Sequence, residues 1–427
     1  MSSVRHFPVQ FFRDRLTRYS FIMSQGRVMT IHHPLLKKLA LTTILFTLPL
    51  SAADALEASK VGDRLKAAMA GQGMEISWTN LSENGSQIVL EGATVKVPNA
   101  PAPATIGNVT LDEITEVNGG YRIGKVTFPT YALAQDGLNV DISGAELTGL
   151  SLPPEGSTDP LASIMMYETA DLATVSVKRA DKQLFSMNDL HVEVTPPKDG
   201  AALEFSGTAE KFTADLTGVE DPEAKKVIEA LGYNTINGDF AMEGSWQPSD
   251  GRMGLTQYDI SVENAGTLGM TFDLGGYTPD FLKAIQDLQK KMAEQPAGGD
   301  NSAQGLAMLG LLQQLTFHGA TIRFDDDSLT GKVLEYVAKQ QGQKPEDIAN
   351  QAKAIVPFLM AQLNNPDLTK NVTEALNAYL DDPQSLEIEA APASPVPFAL
   401  VMAGAMSTPQ ELPKTLGVTV TANEESE

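Results

Sequence analysis

Between Met74 and Gly275, apolar and polar residues alternate in run after run. "SQIVLEGATVKV" places Ile88 and Leu90 on one face and resumes with Val95 and Val97 after Gly92. "YRIGKVTF", "LNVDISGAELTGLSL", "DLATVSVKR" and "LHVEVTPP" keep the same two-residue period, which is that of a β-strand with one face turned inward. A glycine inside such a run, as at Gly92 or Gly144, marks a bulge or bend. Asn84-Gly85, Asn118-Gly119, Asp136-Gly137, Asp199-Gly200 and Asp250-Gly251 separate the runs and supply the positive φ that tight hairpins require. The pattern predicts a long series of antiparallel hairpins.

Helical periodicity appears at defined places. Leu56 to Gly71 puts Val61, Leu65, Ala68 and Met69 on one face. In "EDPEAKKVIEALGY", Asp221 reads as the N-cap, Pro222 as the first helical residue and Gly232 as the stop. After Gly276 the character of the chain changes. Thr278 and Pro279 open a helix with the apolar stripe Phe281, Leu282, Ile285, Leu288 and Met292. The loop "PAGGDNS" leads to a short, very apolar helix, "AQGLAMLGLLQQL", and "LTFHGATIRFDDDS" returns to strand. Leu306 to Leu315 is apolar nearly all round and is expected to be buried on several sides. Leu329 to Leu380 reads as three helices, with Pro345 and Pro366 in first turns, Asn365 as a cap and Pro357 inside the second helix. "SLEIEA" and "LGVTVTA" are closing strands on either side of an apolar, proline-bounded segment from Pro395 to Met406.

This order predicts an α+β fold: an extended, bent, mostly antiparallel sheet of β-hairpins, with a helix-rich C-terminal portion packed on one face. Residues 1–55 form an N-terminal extension and leader, 56–276 a β-rich region, and 277–427 a helix-rich region that contributes further strands. The β-rich region echoes itself. "MEISWTNLSENG" and "MEGSWQPSDG" share Met-Glu-x-Ser-Trp, end in a glycine turn and hold both tryptophans, Trp78 and Trp246. The echo suggests two related modules, each a hairpin with an aromatic near its tip that covers its neighbours.

The leader has its own signature. Lys37 and Lys38 precede an apolar run from Leu39 to Leu50 and a small-x-small site at Ala53-Asp54-Ala55, the layout of a secretory signal peptide. Residues 1–28 lie upstream of a well-placed Met29. Residues 1–55 hold seven basic and two acidic residues, so their removal makes the chain more acidic than the net −23 of the whole. Such a charge repels phosphate backbones and disfavours nucleic acid and anionic headgroups. The chain has no cysteine, which excludes disulfides, a thiol nucleophile and a lipidated-cysteine anchor. Past the leader no run is long and apolar enough to span a bilayer as a helix.

Catalytic patterns are sparse. His191 and His318 are the histidines beyond the leader, far apart and in separate strand-like runs. Nucleophile-elbow, Walker-type, His-Glu-x-x-His and dinucleotide-binding motifs are missing. Asp325, Asp326 and Asp327 form the densest acidic cluster but lack the spacing of a calcium loop, and Asp327 or Ser328 reads as the cap of the next helix. No metal and no cofactor is expected. The positive signal is apolar. The chain has 16 methionines, and "GLAMLGLLQQL" and "PVPFALVMAGAM" combine Met with small residues, a composition that adapts to acyl chains. The candidate ligand-binding residues are Ile285, Met308, Leu309 and Leu312, in a crevice between sheet and helices.

The signal peptide, the hairpin series and the closing pattern "DDPQSLEIEAAPASPVPFALVMAGAM…LGVTVTA" resemble uncharacterised exported proteins of alphaproteobacteria. More distantly, the hairpin series is similar to envelope proteins of the AsmA-like type, a resemblance that implies lipid traffic. The expected function is that of a non-enzymatic, soluble periplasmic protein that binds a lipid acyl chain or another apolar molecule, or supports the envelope with a protein partner. The alternatives are a carboxylate-dependent hydrolase of an acyl or glycosyl substrate and a secreted protein-interaction module.

Overall fold

A computed structural model describes residues 52–425, apart from 86, 98–101, 136, 158–160, 162–164, 198–199, 294–301 and 362–363. Residues 1–51, which hold most of the expected leader, and most of the "PAGGDNS" loop lie outside the described residues.

The strands form one sheet in which each recorded pairing is antiparallel. Strands β1 (Glu75–Ser77) and β2 (Asn80–Asn84) both lie on β3 (Gln87–Lys96), followed by β4 (Ala104–Val117) and β5 (Gly120–Thr127). The next two strands are broken. Pro129 lies between β5 and β6 (Tyr131–Gln135), and Gly144, at φ 65°, lies between β7 (Leu138–Ser143) and β8 (Glu146–Leu152). Thus β5 pairs with β8 and β6 with β7, while β7 and β8 share the far edge on β9 (Thr169–Arg179). From there the chain meanders through β10 (Lys182–Thr195), β11 (Leu203–Asp215), β12 (Thr235–Gln247), β13 (Arg252–Val262) and β14 (Gly266–Gly275). It continues through β15 (Thr316–Asp326) to β16 (Ser385–Ala390), with the two-residue β17 (Val396–Pro397) on the other end of β15, and closes on β18 (Val418–Ala422). Because β14 pairs with β15, the β-rich and helix-rich regions share this sheet.

Helices fill the connections. The first, α1 (Ala52–Gly71), precedes β1. Between β11 and β12 lies α2 (Pro222–Leu231), where the Asp221 side chain accepts from the N–H groups of Glu223 and Ala224 and Gly232 ends the helix at φ 82°. Helices α3 (Pro279–Ala293) and α4 (Ser302–Leu312) join β14 to β15, and Thr278 Oγ1 accepts from the Phe281 N–H as the pattern predicts. Helices α5 (Leu329–Gln341), α6 (Pro345–Met360) and α7 (Pro366–Asp381) join β15 to β16. Asn365 caps α7 and Pro357 lies inside α6. Helices α8 (Phe398–Ser407) and α9 (Leu412–Thr415) precede β18. One cap differs from expectation. Ser328 stands at the N-cap of α5, but its hydroxyl donates to the Asn264 carbonyl, and it is Asp326 that accepts from the Thr330 N–H.

The densest core lies under α1. Val61, Leu65 and Met69 cover Ile88 and Leu90 of β3, Leu111 of β4, Ile123 and Val126 of β5 and Leu150 and Leu152 of β8. Trp78, at the break between β1 and β2, belongs to this packing. A Cβ added to Gly62 would stand 2.9 Å from its ring, and the Lys66 ammonium lies 4.2 Å from the ring centroid. Trp246 is buried near the end of β12 and donates through Nε1 to the Tyr277 carbonyl at 2.7 Å. Both tryptophans therefore serve packing, but the expectation of an aromatic near each hairpin tip fits Trp246 alone of the two: Trp78 lies between β1 and β2, at the end of the β2–β3 hairpin away from its turn at Asn84.

At the opposite margin, the outer edge of β18 meets α7. The Asn371 side chain donates to the Val420 carbonyl at 2.8 Å and accepts from its N–H at 2.6 Å, as a neighbouring strand would. This satisfies the Val420 position of an edge that would otherwise offer itself to another strand. Tyr379 of α7 is buried and exchanges a hydrogen bond of 2.5 Å with the Thr330 hydroxyl of α5, and burial raises its phenol above the ordinary range.

Candidate functional site

Cross-strand partners in an antiparallel ladder point to the same face, so the register sorts every side chain. One row runs Ile88, Leu111, Val126, Leu147, Ala170, Val192, Gly207, Met242, Tyr258, each residue paired with the next. An adjoining row runs Phe240, Ile260, Leu268, Phe324, Leu386, Ala422. Phe240 and Met242 are two apart on β12, so both rows lie on one face. At the usual strand spacing this apolar face continues for roughly 55–60 Å across the sheet.

The other face is polar along its length. Glu146, Asp171, His191 and Thr208 form one row, and Arg323, Glu387 and Thr421 another. Its charges pair with each other: Lys125 with Glu146 at 2.6 Å, His191 Nδ1 with Asp171 at 2.6 Å, and Arg323 with Asp325 at 2.8 Å and Glu387 at 3.2 Å. The Glu146 carboxylate holds the Lys125 ammonium above its ordinary range, and Asp325 does the same for Arg323. A cleft of about 380 Å³ on this face is lined by Glu193, Glu204 and Glu243 with Ser206 and Thr256.

Burial separates the two ends of the apolar face. Under α1 its side chains are sealed, with Leu90, Leu111 and Ile123 among the most buried of the described residues. From β9 to β15 the large apolar side chains of that face stay only partly covered, Trp246 excepted. Phe205, Phe212, Met242, Tyr258, Ile260, Met270, Phe272 and Phe324 are half-buried, Leu268 is exposed and Ile322 keeps 50% of its surface. A sheet face closed over by a second layer would not leave its central isoleucine half in solvent.

The face is also smooth. Phe205 pairs with Gly244 and Phe212 with Gly238, and a Cβ at either glycine would stand 2.5 Å from the partner's ring. The Phe324 ring lies over Gly266 in the same way, 2.8 Å from where a Cβ would be. The rings therefore lie down across the neighbouring strand instead of standing up. Glycine opposite an aromatic makes a flat hydrocarbon floor, with methionines at Met187, Met242, Met253 and Met270 able to adjust to what rests on it.

The four residues singled out from the sequence lie on the α3–α4 pair. Ile285, Met308 and Leu312 are half-buried and Leu309 is exposed. Helices α3 and α4 touch each other, α4 touches α8, and α4 leads through buried Leu315 into β15. The side chain of Met292 lies outside the described residues. The expectation that Leu306 to Leu315 is buried on several sides is corrected: Leu306 is 70% exposed. An apolar composition signals burial only if a neighbour is present to supply it.

The histidines and the acidic run singled out in the sequence lie apart. His191 on β10 and His318 on β15 are separated by four strands and do not converge. His318 Nε2 shares a hydrogen bond of 3.0 Å with the Thr316 hydroxyl. The acidic run is divided, Asp325 pairing with Arg323 and Asp326 capping α5. Among the described residues, no group of three or more His, Cys, Asp or Glu could hold a metal ion. No described helix is long and apolar enough to cross a membrane. The sequence singles out apolar candidates on helices, and the structure adds a partly covered apolar sheet face. The sheet floor was legible only as alternation, because alternation does not say what lies opposite.

A family model described as "Uncharacterized protein" matches residues 259–423, under half of the chain. The match begins within β13, ends just past β18 and includes α3 to α9. No curated protein matches the chain.

Proposed function

We propose that this chain is a non-enzymatic, exported carrier of an apolar ligand, a lipid acyl chain, which lies along the apolar face between β9 and β15. The observation that carries the reading is the row of half-buried aromatic, methionine and aliphatic side chains on that face, lying flat over glycines and continuous with the sealed core under α1. The helix-rich portion packs toward the same face, and Ile285, Met308, Leu309 and Leu312 form its rim. The signal-peptide layout read in the first residues supports a periplasmic carrier, where moving or holding lipid would serve envelope maintenance. The distant resemblance to AsmA-like envelope proteins supports the same reading.

An open hydrocarbon floor gives a specific dependence on chain length. Each methylene removed from water contributes about 0.8 kcal/mol, close to fourfold in affinity. Displacement of a fluorescent fatty acid by saturated acids of rising length should therefore tighten stepwise. Absence of binding, or an affinity indifferent to chain length, overturns the reading.

A further inference from the structure

Helix α8 is apolar on all sides yet has no buried residue. Leu400 and Met402 are exposed, and Met406 keeps 85% of its surface. Helix α4, in contact with α8, likewise exposes Leu306 and Leu309. Neither helix carries a charge, and the whole stretch from Ala391 to Gln410 has none, in a chain of net charge −23. Phe398, at the root of α8, stacks edge-on with Phe317 of β15 at 6.5 Å, and its N–H donates to the Leu315 carbonyl at 3.0 Å. Two uncharged helices from distant parts of the chain thus meet at one end of β15.

A helix that docks in a protein groove needs one apolar stripe and keeps a polar back. A helix apolar all round needs hydrocarbon on every side that protein leaves open, and on α8 the neighbours at Phe317 and Leu412 leave Leu400, Met402 and Met406 open. We infer that α4 and α8 together form a membrane-docking tip that enters the outer part of a zwitterionic bilayer. Ten residues of helix span about 15 Å, half the hydrocarbon thickness, so the tip enters without crossing. Charge selects the lipid. An acidic chain is repelled by anionic headgroups, and an uncharged tip gains nothing from them, so phosphatidylcholine-like surfaces are preferred. This inference stands on the helices and not on the sheet face.

The test is hydrogen–deuterium exchange of the full chain with and without phosphatidylcholine vesicles, read on peptides covering 302–312 and 398–407. Vesicles are expected to slow exchange in both segments, more with phosphatidylcholine than with vesicles rich in phosphatidylserine. Met406→Lys, at a position that keeps 85% of its surface and so contributes little packing, should weaken the protection by about tenfold in lipid concentration. Leu400→Asp provides a second reading of the same effect. No change in either segment, or equal protection in both variants, overturns the inference. So does protection that follows protein concentration without vesicles, which would assign the tip to a second copy of the chain. Fatty-acid displacement without vesicles is read separately, so a failed tip and a failed carrier are told apart.

Discussion

Ile322→Glu is expected to weaken acyl-chain binding by about a hundredfold while barely moving the melting temperature. Ile322 is paired with Met270 on one side and Ile388 on the other, in the open part of the apolar face. Half its surface already meets water, so the substitution removes little packing and its stability cost stays within about 0.5 kcal/mol. A ligand lying there would have to cover the new carboxylate. Covering an unpartnered charge costs several kcal/mol, or raises the carboxyl pKa at similar expense. Thr208→Glu is the matching control, since Thr208 lies opposite His191 on the polar face and its change should leave affinity untouched. Displacement titrations and melting curves of both variants check the pair. Equal loss in the two would show that the face does not decide binding.

Leu90→Ala is expected to act in the opposite sense, costing about 2–5 kcal/mol of stability through a cavity that cannot collapse. Leu90 has no exposed surface and lies among Val61 of α1, Ile88 of β3 and Val109 of β4. Strands hold the cavity walls on one side and α1 on the other. Denaturant unfolding should show the loss as a lowered midpoint at unchanged slope. Binding at saturating folded protein should stay close to normal, because the sealed core and the open floor lie on different strands of the sheet. A stability change under about 0.5 kcal/mol would contradict the packing described for α1.

Local signals proved reliable where one residue makes the structure. Asp221, Pro222 and Gly232 set the bounds of α2, and Thr278 and Asn365 cap their helices as read. The strand alternation likewise foretold one apolar and one polar face, and the register bears this out from β3 to β18. What was not legible depends on partners distant in sequence. The cap of α5 falls to Asp326 because β15 runs on to that residue, leaving Ser328 to bond Asn264 on the neighbouring turn. The role of Asn371 on the β18 edge has no periodic trace, since one side chain meets one strand residue 49 positions away. In the sequence α3 and α4 stand out because their apolar residues are dense. The floor between β9 and β15 is diluted by intervening polar residues and by glycines that look like bends, yet the same glycines let the aromatic rings lie flat.

The central claim is that the apolar face between β9 and β15 is the ligand's bed. Photo-crosslinking with a diazirine-bearing fatty acid, followed by mass-spectrometric mapping, tests it most directly. The account predicts adducts on Met242, Tyr258, Phe272 and Ile322, which the register places on one face across four strands. Labelling of polar-face positions such as Thr208 or Asp259, or no adduct on β12 to β15, would contradict it.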